Sequence, residues 1–489
     1  MQLRLTGFAA LAATAVLAAG TGALAQINPR LEAARQPAVT AAVASPQVTA
    51  QNRLVPFEEF QASIPTEQAA KYLARPDLRV RVASDFEAMR QHLQSLYAPL
   101  KVTHSFALET DIYDCIPLMQ QPSVRLMGIT RIADVPPPLP QPAAGPAVAH
   151  LSADEMRLHA VAQPQALAQL PTAGAAVQVG AASAVDRFGN STRCEAGSIP
   201  MRRVTLEEMS RFHTLQDFFN KGASELAPTG PGANIPPCGG ASCLHKYSVF
   251  HQAVSNWGGN STINVWSPSV DTSKDEAFSL TQQWYVGGSG ASLPGLQTVE
   301  IGWQNYPQKY GDQRSRLFIY HTADGYNHTG CYNLDCSDFV QTDNSVYIGG
   351  GFTNYSTAGG GQWEMAIQVQ FYKGNWWLFY GGKPFGYYPG SLFHGGALTH
   401  AATDVEYGTE TTGSSIWPPA GSGGQPALGW SRAAYQKNLF YISTSGGGVW
   451  ENLSTLALAP CYALNGPSSG GGSGWQVYFY DGGAGGKSC

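Results

Sequence analysis

The sequence is poor in charge, and its first half has no tryptophan. Charged residues make up 13% of the 489 residues, against about 25% in typical globular proteins. With 29 basic and 34 acidic residues the net charge is -5, which supplies no basic surface and argues against a nucleic-acid partner. All eleven tryptophans lie at or after Trp257. The two halves are therefore expected to differ in structure.

Long hydrophobic runs are missing after the beginning of the chain. Residues 1–25 combine Arg4, an apolar Ala/Leu run and the small-x-small sequence Ala23-Leu24-Ala25, which is typical of a signal peptide. No later segment is long and apolar enough to predict a membrane span. We expect a secreted protein, extracellular or periplasmic, with no membrane partner.

Common patterns of metal and cofactor enzymes are missing too. The cysteine and histidine spacings do not suit zinc, and no dinucleotide or phosphate loop lies in a strand–helix–strand unit. We expect no metal and no cofactor. These absences leave carboxylates as the candidate catalytic groups.

The eight cysteines of an exported chain predict disulfides. Closeness in sequence suggests some pairs, and the others are less constrained. The suggested pairs are Cys331 with Cys336, Cys238 with Cys243, and Cys461 with Cys489, which leaves Cys115 and Cys194 over. Because eight cysteines can pair in roughly a hundred ways, these pairs are hypotheses.

Composition divides the chain near residue 246. Before it, Ala- and Pro-rich tracts surround a helix predicted over 85–98, with a capping box at Ser84 and Glu87, and a second helix start at Thr205. After it, short aromatic and alternating segments are separated by Gly, Ser, Asn and Pro, a pattern typical of an antiparallel sandwich or barrel. The predicted division is a signal peptide at 1–25, a helical and linker prosegment at 26–245, and an all-β domain at 246–489.

Two predicted strands carry acidic residues among apolar ones. Alternation puts Glu300 and Gln304 on one face of their strand and Trp303 on the other. In a later strand it puts Glu406 and Glu410 on one face. A carboxylate pair can hydrolyse an amide or a glycoside, because each group can hold a different protonation state. A solvated outer strand face is the alternative interpretation.

Six segments of the all-β domain occur in the order of one known family, and together they closely resemble the neprosin family. They are Glu300–Asp312, Arg316–Tyr326, Thr329–Gln341, Gly374–Leu378, Gly386–Phe393 and Val405–Glu410. The resemblance spans about residues 246–489. It implies a secreted glutamic peptidase, in which a β-sandwich carries two catalytic glutamates and the characterised type cleaves after proline.

The resemblance extends upstream. Asp111–Pro122 and Cys194–Arg203 are similar to the activation-peptide motifs of the family. This implies that the prosegment inhibits the enzyme until it is removed, and it makes a Cys115–Cys194 pair conceivable.

By position, the resemblance assigns the catalytic glutamates to Glu300, before Gly-Trp-Gln, and to Glu410. Glu406 is the alternative for the second. The chain departs from the family pattern around Glu410, with Tyr407-Gly-Thr-Glu-Thr411 in place of Trp-Gly-Gly-Glu-Val. It also has His321 where Trp is common and Asp338 where Gly is usual.

Four further residues are candidates for substrate contacts. Gln304 shares the face of Glu300 and is a candidate oxyanion or water-orienting donor, with a structural strand hydrogen bond as the alternative. The aromatic residues Trp303, Tyr306 and Tyr332 are candidates to line a groove for a proline-rich peptide, with a place in the core as the alternative.

The expected function is that of a secreted glutamic endopeptidase made as a zymogen. It would hydrolyse peptide bonds after proline at acidic pH, one glutamate activating water and the other donating a proton, with the two roles unassigned. Its partners would be a proline-rich peptide or protein substrate and its own prosegment as inhibitor. The alternatives are a catalytically inactive β-sandwich that binds carbohydrate or peptide, and a glycoside hydrolase.

Overall fold

The computed structural model describes most of the chain from residue 53 onward. The described ranges are 53–98, 100–138, 142, 174–180, 183–221, 244–290, 292–470, 474–487 and 489. The predicted signal peptide, Cys238 and Cys243 lie outside the described residues.

The α-helices of the described residues are short and almost all lie in the prosegment. They are α1 (Phe57–Ser63), α2 (Ala69–Leu73), α3 (Ala83–Tyr97), α4 (Pro122–Leu126), α5 (Leu206–Ser210), α6 (Leu215–Phe219) and α7 (Pro307–Tyr310). None of these described helices is long and apolar enough to cross a membrane.

The predicted helix over 85–98 is α3, which buries Phe86, Met89, Leu93 and Leu96 on one face. Its predicted capping box is wrong, because the helix begins earlier and its N-cap residue Val82 makes no side-chain cap hydrogen bond. The second helix start is confirmed. Thr205 caps α5 in a capping box with Glu208, which satisfies the free N–H groups of the first turn.

Strands make up nearly half of the described chain after residue 244. The strands are β1 (Ser105–Leu108), β2 (Asp111–Pro117), β3 (Ala175–Ala176), β4 (Ser198–Arg202), β5 (Leu244–Gln252), β6 (Asn256–Asn264), β7 (Glu276–Gly287), β8 (Gln297–Asn305), β9 (Arg316–Thr322), β10 (Cys331–Tyr332), β11 (Val340–Gln341), β12 (Trp363–Tyr372), β13 (Asn375–Tyr380), β14 (Lys383–Pro389), β15 (Asp404–Gly413), β16 (Ala434–Ser443), β17 (Gly448–Trp450), β18 (Ser454–Leu458), β19 (Ala463–Ser469) and β20 (Val477–Gly482).

Two large sheets form a β-sandwich, which confirms the predicted fold class. The seven-stranded sheet has the order β10-β9-β8-β7-β15-β5-β18, with antiparallel pairing throughout. The second sheet runs β11-β14-β13-β12-β6-β16-β20-β19, with β17 on β16 and β3 on β12. Only β1, β2 and β4 of the prosegment form a separate small sheet among the described strands.

The interior of the sandwich lies between one face of the seven-stranded sheet and the second sheet. Trp303 of β8 points into it, and its indole N–H donates to the carbonyl of Asn264 on β6 at 3.0 Å. Gln283 of β7 donates to Ser261 of β6 at 2.7 Å. We call this face of the seven-stranded sheet the inner face and the opposite one the outer face. By strand alternation, Glu300 and Glu410 lie on the outer face.

The prosegment packs against the outer face and its surroundings. Phe212 lies edge-on against Tyr306, with ring centres 6.0 Å apart. Arg316 of β9 forms a buried ion pair with Asp111 of the prosegment at 2.5 Å. On the second sheet, β3 of the prosegment pairs in parallel with β12. The prosegment therefore contacts both sheets.

Three disulfides lie in the described chain. They join Cys115 with Cys194, Cys331 with Cys336, and Cys461 with Cys489. The predicted pairs Cys331–Cys336 and Cys461–Cys489 are confirmed, and so is the Cys115–Cys194 pair that the resemblance made conceivable. The Cys115–Cys194 disulfide joins β2 to the segment that leads into β4. The strands β2 and β4 are also paired in the small sheet.

Candidate active site

The register of three adjacent strands determines where the two glutamates lie. Glu300 of β8 is opposite Trp284 of β7, and Glu410 of β15 is opposite Leu280 of the same strand. Gln282 lies between these two positions on the same face of β7. Glu300 thus lies on one neighbouring strand of β7 and Glu410 on the other. Each is displaced by two residues from Gln282, in opposite directions along β7.

Glycines flank Gln282 on both sides and leave space between the glutamates. Gly302 of β8 and Gly408 of β15 are the residues paired with Gln282. A Cβ on Gly302 would lie 2.1 Å from the carbonyl oxygen of Thr281, and one on Gly408 would lie 2.1 Å from that of Ser248. Neither position can accept a side chain without moving the backbone. These two positions next to Gln282 therefore require glycine.

A single ammonium group joins the two glutamates. Nζ of Lys221, from the prosegment, lies 2.5 Å from Oε2 of Glu300 and 2.6 Å from Oε2 of Glu410. All three side chains are at least 98% buried. The Lys221 ammonium also lies 5.1 Å from the centre of the Trp284 ring, a cation–π distance. Two carboxylates from separate strands thus converge on one point.

Neutral donors hold the carboxylate of Glu300. Its Oε1 accepts hydrogen bonds from the hydroxyls of Thr298 at 2.8 Å and Tyr326 at 2.7 Å. Its Oε2 accepts one from the amide of Gln282 at 2.8 Å. These donors fix the orientation of the carboxylate without adding charge.

A lysine and a histidine contact Glu410. Oε1 is hydrogen-bonded to Nδ1 of His245, and Oε2 pairs with Lys221. Burial raises the pKa of the Glu410 carboxyl, but the charge of Lys221 and the contact with His245 outweigh it and hold the pKa below its ordinary value. For Lys221, burial opposes the charge, and the attraction of Glu300 and Glu410 outweighs it and raises the pKa of the ammonium.

Glu406 lies on the same face but outside this ion-pair cluster. Like Glu300 it is opposite Trp284, on the other side of β7. Its Oε2 has no hydrogen-bond partner among the described residues. Burial raises the pKa of Glu406 well above its ordinary value, and the negative charges of Asp404 and Glu300 add to this. This geometry favours Glu410 over Glu406 as the partner of Glu300.

The four substrate-contact candidates lie in different places. Trp303 is on the inner face, away from the glutamates, so its position does not support a substrate contact. Gln304 is buried and donates to the hydroxyl of Tyr332 at 3.1 Å, and its Oε1 has no partner among the described residues. Tyr306 and Tyr332 are buried, with ring centres 6.4 Å apart; the Tyr306 ring contacts Phe212, and the Tyr332 ring lies 4.7 Å from Nζ of Lys309.

The sequence reasoning missed Lys221, His245, Gln282 and Tyr326. Tyr326 lies in a segment that resembles the neprosin family, and Gln282 is a polar residue in an apolar strand, so both carried a weak signal. His245 lies at the edge of the region of resemblance. Lys221 follows a short helix with no pattern that predicts an active-site role, because its partners are distant in sequence.

Two departures from the family pattern contact each other. Nε2 of His321 lies 3.5 Å from Oδ2 of Asp338. A histidine in place of Trp is thus accompanied by an acidic residue in place of Gly. Burial lowers the pKa of the His321 imidazole, and Asp338 partly offsets this.

One group of potential metal ligands occurs in the part of the chain that the structure describes. It consists of His104, Cys115 and Glu195. Cys115 is joined to Cys194 in a disulfide, so its sulfur is not available as a thiolate ligand. The two remaining side chains are fewer than the three or four protein ligands of a typical zinc site.

A family model described as Neprosin matches residues 275–484. This part of the chain is similar to the neprosin family. The match confirms the resemblance found in the sequence over this range and indicates a peptidase. It includes Glu300 and Glu410 but not Lys221 or His245.

Solved structures similar to this chain include peptidases and lectins. Scytalido-glutamic peptidase with a transition state analog inhibitor is 12% identical, with a TM-score of 0.30, covering 49% of this chain and 98% of that one. SCP-B, an Eqolisin family peptidase in complex with the tripeptide Ala-Ile-His, is 10% identical, with a TM-score of 0.26, covering 48% and 96%. Toad ovary galectin with N-acetylgalactose is 9% identical, with a TM-score of 0.18, covering 34% and 96%. With such low scores, the family assignment rests on the sequence.

Proposed function

We propose that this chain is a secreted glutamic endopeptidase made as a zymogen, with Glu300 and Glu410 as its catalytic pair. The observation that carries the proposal is their convergence on one Lys221 ammonium within a region similar to the neprosin family. Two carboxyl groups this close do not ionise independently, so one can hold a proton while the other accepts one.

In the proposed reaction the Lys221 ammonium marks the position of the reacting groups. Its nitrogen stands in for the water that attacks the scissile carbonyl or for the amine that leaves. One glutamate takes a proton from the water, and the other donates a proton to the leaving amine. The amide of Gln282, between the two glutamates, can also orient the water or the substrate carbonyl, because it has a second N–H.

Lys221 also supports an inhibitory role for the prosegment. Its side chain fills the space between the glutamates and neutralises them, so a substrate cannot reach the pair while it is bound. Phe218 of the same segment packs its ring 3.6 Å from Nζ of Lys309 and accepts a hydrogen bond from it at 3.2 Å. The zymogen is therefore blocked by occupation of the site itself.

Acid is expected to release this block. Binding of Lys221 requires ionised carboxylates, and the pKa of Glu410 is lowered from its ordinary value of 4.5. A group with a lowered pKa stabilises the bound state fully above its ordinary pKa and loses this contribution as the pH falls through the lowered one. Activation at acidic pH follows, because a fall in pH removes this contribution to the binding of Lys221.

Cleavage after proline in a proline-rich substrate is the specificity that we propose. The Tyr306 ring contacts Phe212 of the prosegment and lies next to Tyr332, and removal of the prosegment would expose flat rings that suit packing against a pyrrolidine ring. The signal peptide at 1–25 supports secretion. The maturation cut would fall between Lys221 and β5, since the two flank the boundary of the domain.

The test is peptide cleavage by the full-length chain at acidic and neutral pH. A synthetic peptide with a single internal proline is incubated with the wild type, Glu300→Gln and Glu410→Gln, and mass spectrometry locates the cuts. We expect cuts after proline at acidic pH only, and at least about a thousandfold loss in both variants.

Glu364→Gln is the matched control. Glu364 is a buried glutamate paired with Lys437 at 2.7 Å in the second sheet, so its loss breaks a similar pair away from the site. It should keep activity if it folds, as judged by circular dichroism. Absence of cleavage by a wild-type chain whose prosegment has been removed would refute the proposal, whereas cuts elsewhere would refute only the proline preference.

A further inference from the structure

Lys309 of α7 binds the prosegment segment that carries Lys221. Its Nζ donates a hydrogen bond to the carbonyl of Phe218 at 3.2 Å. Three residues further on, the main-chain N–H of Lys221 donates to the hydroxyl of Tyr320 at 3.3 Å. These two contacts hold the main chain of the segment along the outer face, running toward the glutamates. The carbonyl that Lys309 binds is a group that every residue of a peptide substrate also has.

The same amine also contacts the side chain of Phe218. Nζ of Lys309 lies 3.6 Å from the centre of the Phe218 ring, which is the distance of a close contact with an aromatic face. Phe218 and Lys309 are both buried. The rings of Phe212 and Phe219, whose centres lie 5.5 and 5.8 Å from that of Phe218, belong to the prosegment itself. Of these three neighbours, Lys309 is the one that stays with the β-rich domain when the prosegment leaves.

Lys309 is held in place by groups of the β-rich domain. Its Nζ forms an ion pair with Oδ2 of Asp335 at 2.9 Å and lies 4.7 Å from the centre of the Tyr332 ring. Tyr332 and Asp335 lie in the short loop that the Cys331–Cys336 disulfide closes. Burial lowers the pKa of Lys309, and Asp335 partly offsets this. The amine has an N–H to donate whether it is charged or neutral, so its bond to a carbonyl does not depend on its protonation.

We propose that Lys309 is a specificity-determining residue, which binds an aromatic residue of the peptide substrate on the N-terminal side of the cut. This rests on the proposed peptidase function. A substrate that follows the path of the chain from Phe218 to Lys221 places one carbonyl and one side chain against Lys309. Phe218 precedes Lys221 by three residues, which span at most about 10 Å. The preferred substrate therefore carries Phe, Tyr or Trp about three residues before the proline at the cut.

The first experiment moves a single Phe through a peptide substrate. The full-length chain, activated at acidic pH, is incubated with proline peptides that carry Phe at one position before or after the proline and Ala at all others. With Phe about three residues before the proline, kcat/KM should be about tenfold higher than for the peptide without Phe. The gain should appear mainly as a lower KM, because the ring is remote from the reacting atoms. Equal cleavage of all peptides, or a maximum with Phe after the cut, would overturn the proposal.

The second experiment assigns the preference to Lys309. The best Phe peptide is compared with one that carries cyclohexylalanine, which has a similar shape but no aromatic face. The wild type should prefer Phe by about fivefold, whereas Lys309→Met should cleave both peptides equally. Lys437→Met is the matched control and should keep the wild-type ratio. Lys437 of the second sheet is a buried lysine that pairs with Glu364 at 2.7 Å and lies 5.1 Å from the centre of the Trp475 ring.

The two experiments separate the failure of this proposal from that of the peptidase function. Each ratio is measured within one enzyme, so a general loss of activity does not change it. A wild-type ratio in Lys309→Met would overturn the role of Lys309. If that variant does not fold, equal cleavage of the two peptides by the wild type would contradict a contact between the amine and an aromatic face. Both results leave the peptidase proposal intact, whereas a processed wild type that cleaves none of the peptides would refute that proposal and this specificity with it.

Discussion

The two faces of the seven-stranded sheet bury carboxyl groups in opposite ways. On the outer face, Glu300 and Glu410 meet an ammonium, an imidazole and several donors. On the inner face, Glu451 receives one hydrogen bond from Tyr407 at 2.9 Å and Asp481 receives one from Thr409. Burial raises the pKa of Glu451 to about 8 and that of Asp481 to about 6.

The difference lies in what covers each face. The inner face is covered by the second sheet, and burial raises the pKa of these two carboxyl groups, which form no ion pair among the described residues. The outer face is covered by the prosegment, which brings its own cation. Burial alone therefore does not distinguish the proposed catalytic carboxyls, whereas a compensating charge from the predicted prosegment does.

The largest expected effect is the difference in kcat/KM between substitutions of two glutamates on the outer face. Glu410→Gln should lower kcat/KM by at least about a thousandfold, because it removes a group that contacts the reacting atoms. Glu406→Gln, on the same strand, should retain activity within about fivefold, since Glu406 lies outside the ion-pair cluster and burial raises its pKa, which favours its neutral form. Kinetics on the proline peptide at acidic pH measure both. Equal losses would mean that the outer face works as a triad of carboxyls.

Lys221→Met should weaken the binding of the prosegment to the outer face. Two buried carboxylates without a cation strongly disfavour binding of the prosegment, so activity should appear at higher pH than in the wild type. At near-neutral pH the activity of the variant should be about tenfold higher than that of the wild type. Lys71→Met is the control, because Lys71 is an exposed prosegment lysine that pairs with Glu67. If both variants remain as silent as the wild type, the ammonium does not control latency.

The smallest effect concerns the inner face and appears in stability only. A carboxyl with a raised pKa stabilises the fold fully at pH below its ordinary value, and this contribution is lost as pH rises through the raised one. For Glu451 the loss falls between about pH 4.5 and 8 and is of the order of 5 kcal/mol.

Glu451→Gln should remove most of that pH dependence. Urea unfolding from pH 4 to pH 9 measures the free energy of unfolding, and the exposed Glu58→Gln is the control. A wild-type stability that stays constant up to pH 9 would show that the inner face tolerates charge. The neutral carboxyls of this face would suit a protein that works in acid.

Much of this comparison follows from the sequence. Strand alternation put Glu300 and Gln304 opposite to Trp303, and the structure has them on opposite faces of β8. The motifs identified the family, as the match over residues 275–484 confirms. Periodicity and motifs are local properties of the sequence. The strand faces and the family resemblance depend only on such local properties.

The cover of the active site was not predictable from the same patterns. Lys221 is 79 residues away from Glu300 in sequence, and their contact depends on how the prosegment folds onto the sheet. His245 lies 165 residues from Glu410 and meets it through a strand pairing that a single sequence does not specify. The burial of Glu451 and Asp481 was not predicted either, because it arises only when the two sheets pack.

The placement of the disulfides affects how the prosegment leaves. One described disulfide lies within the prosegment and two lie within the β-rich domain, so none of these three joins the two parts. Before cleavage, the connecting chain keeps Lys221 at a high effective concentration beside the glutamates. After one cut in that connection, the prosegment can diffuse away, and rebinding depends on its concentration in the surrounding fluid. Dilution after secretion would then make activation effectively one-way.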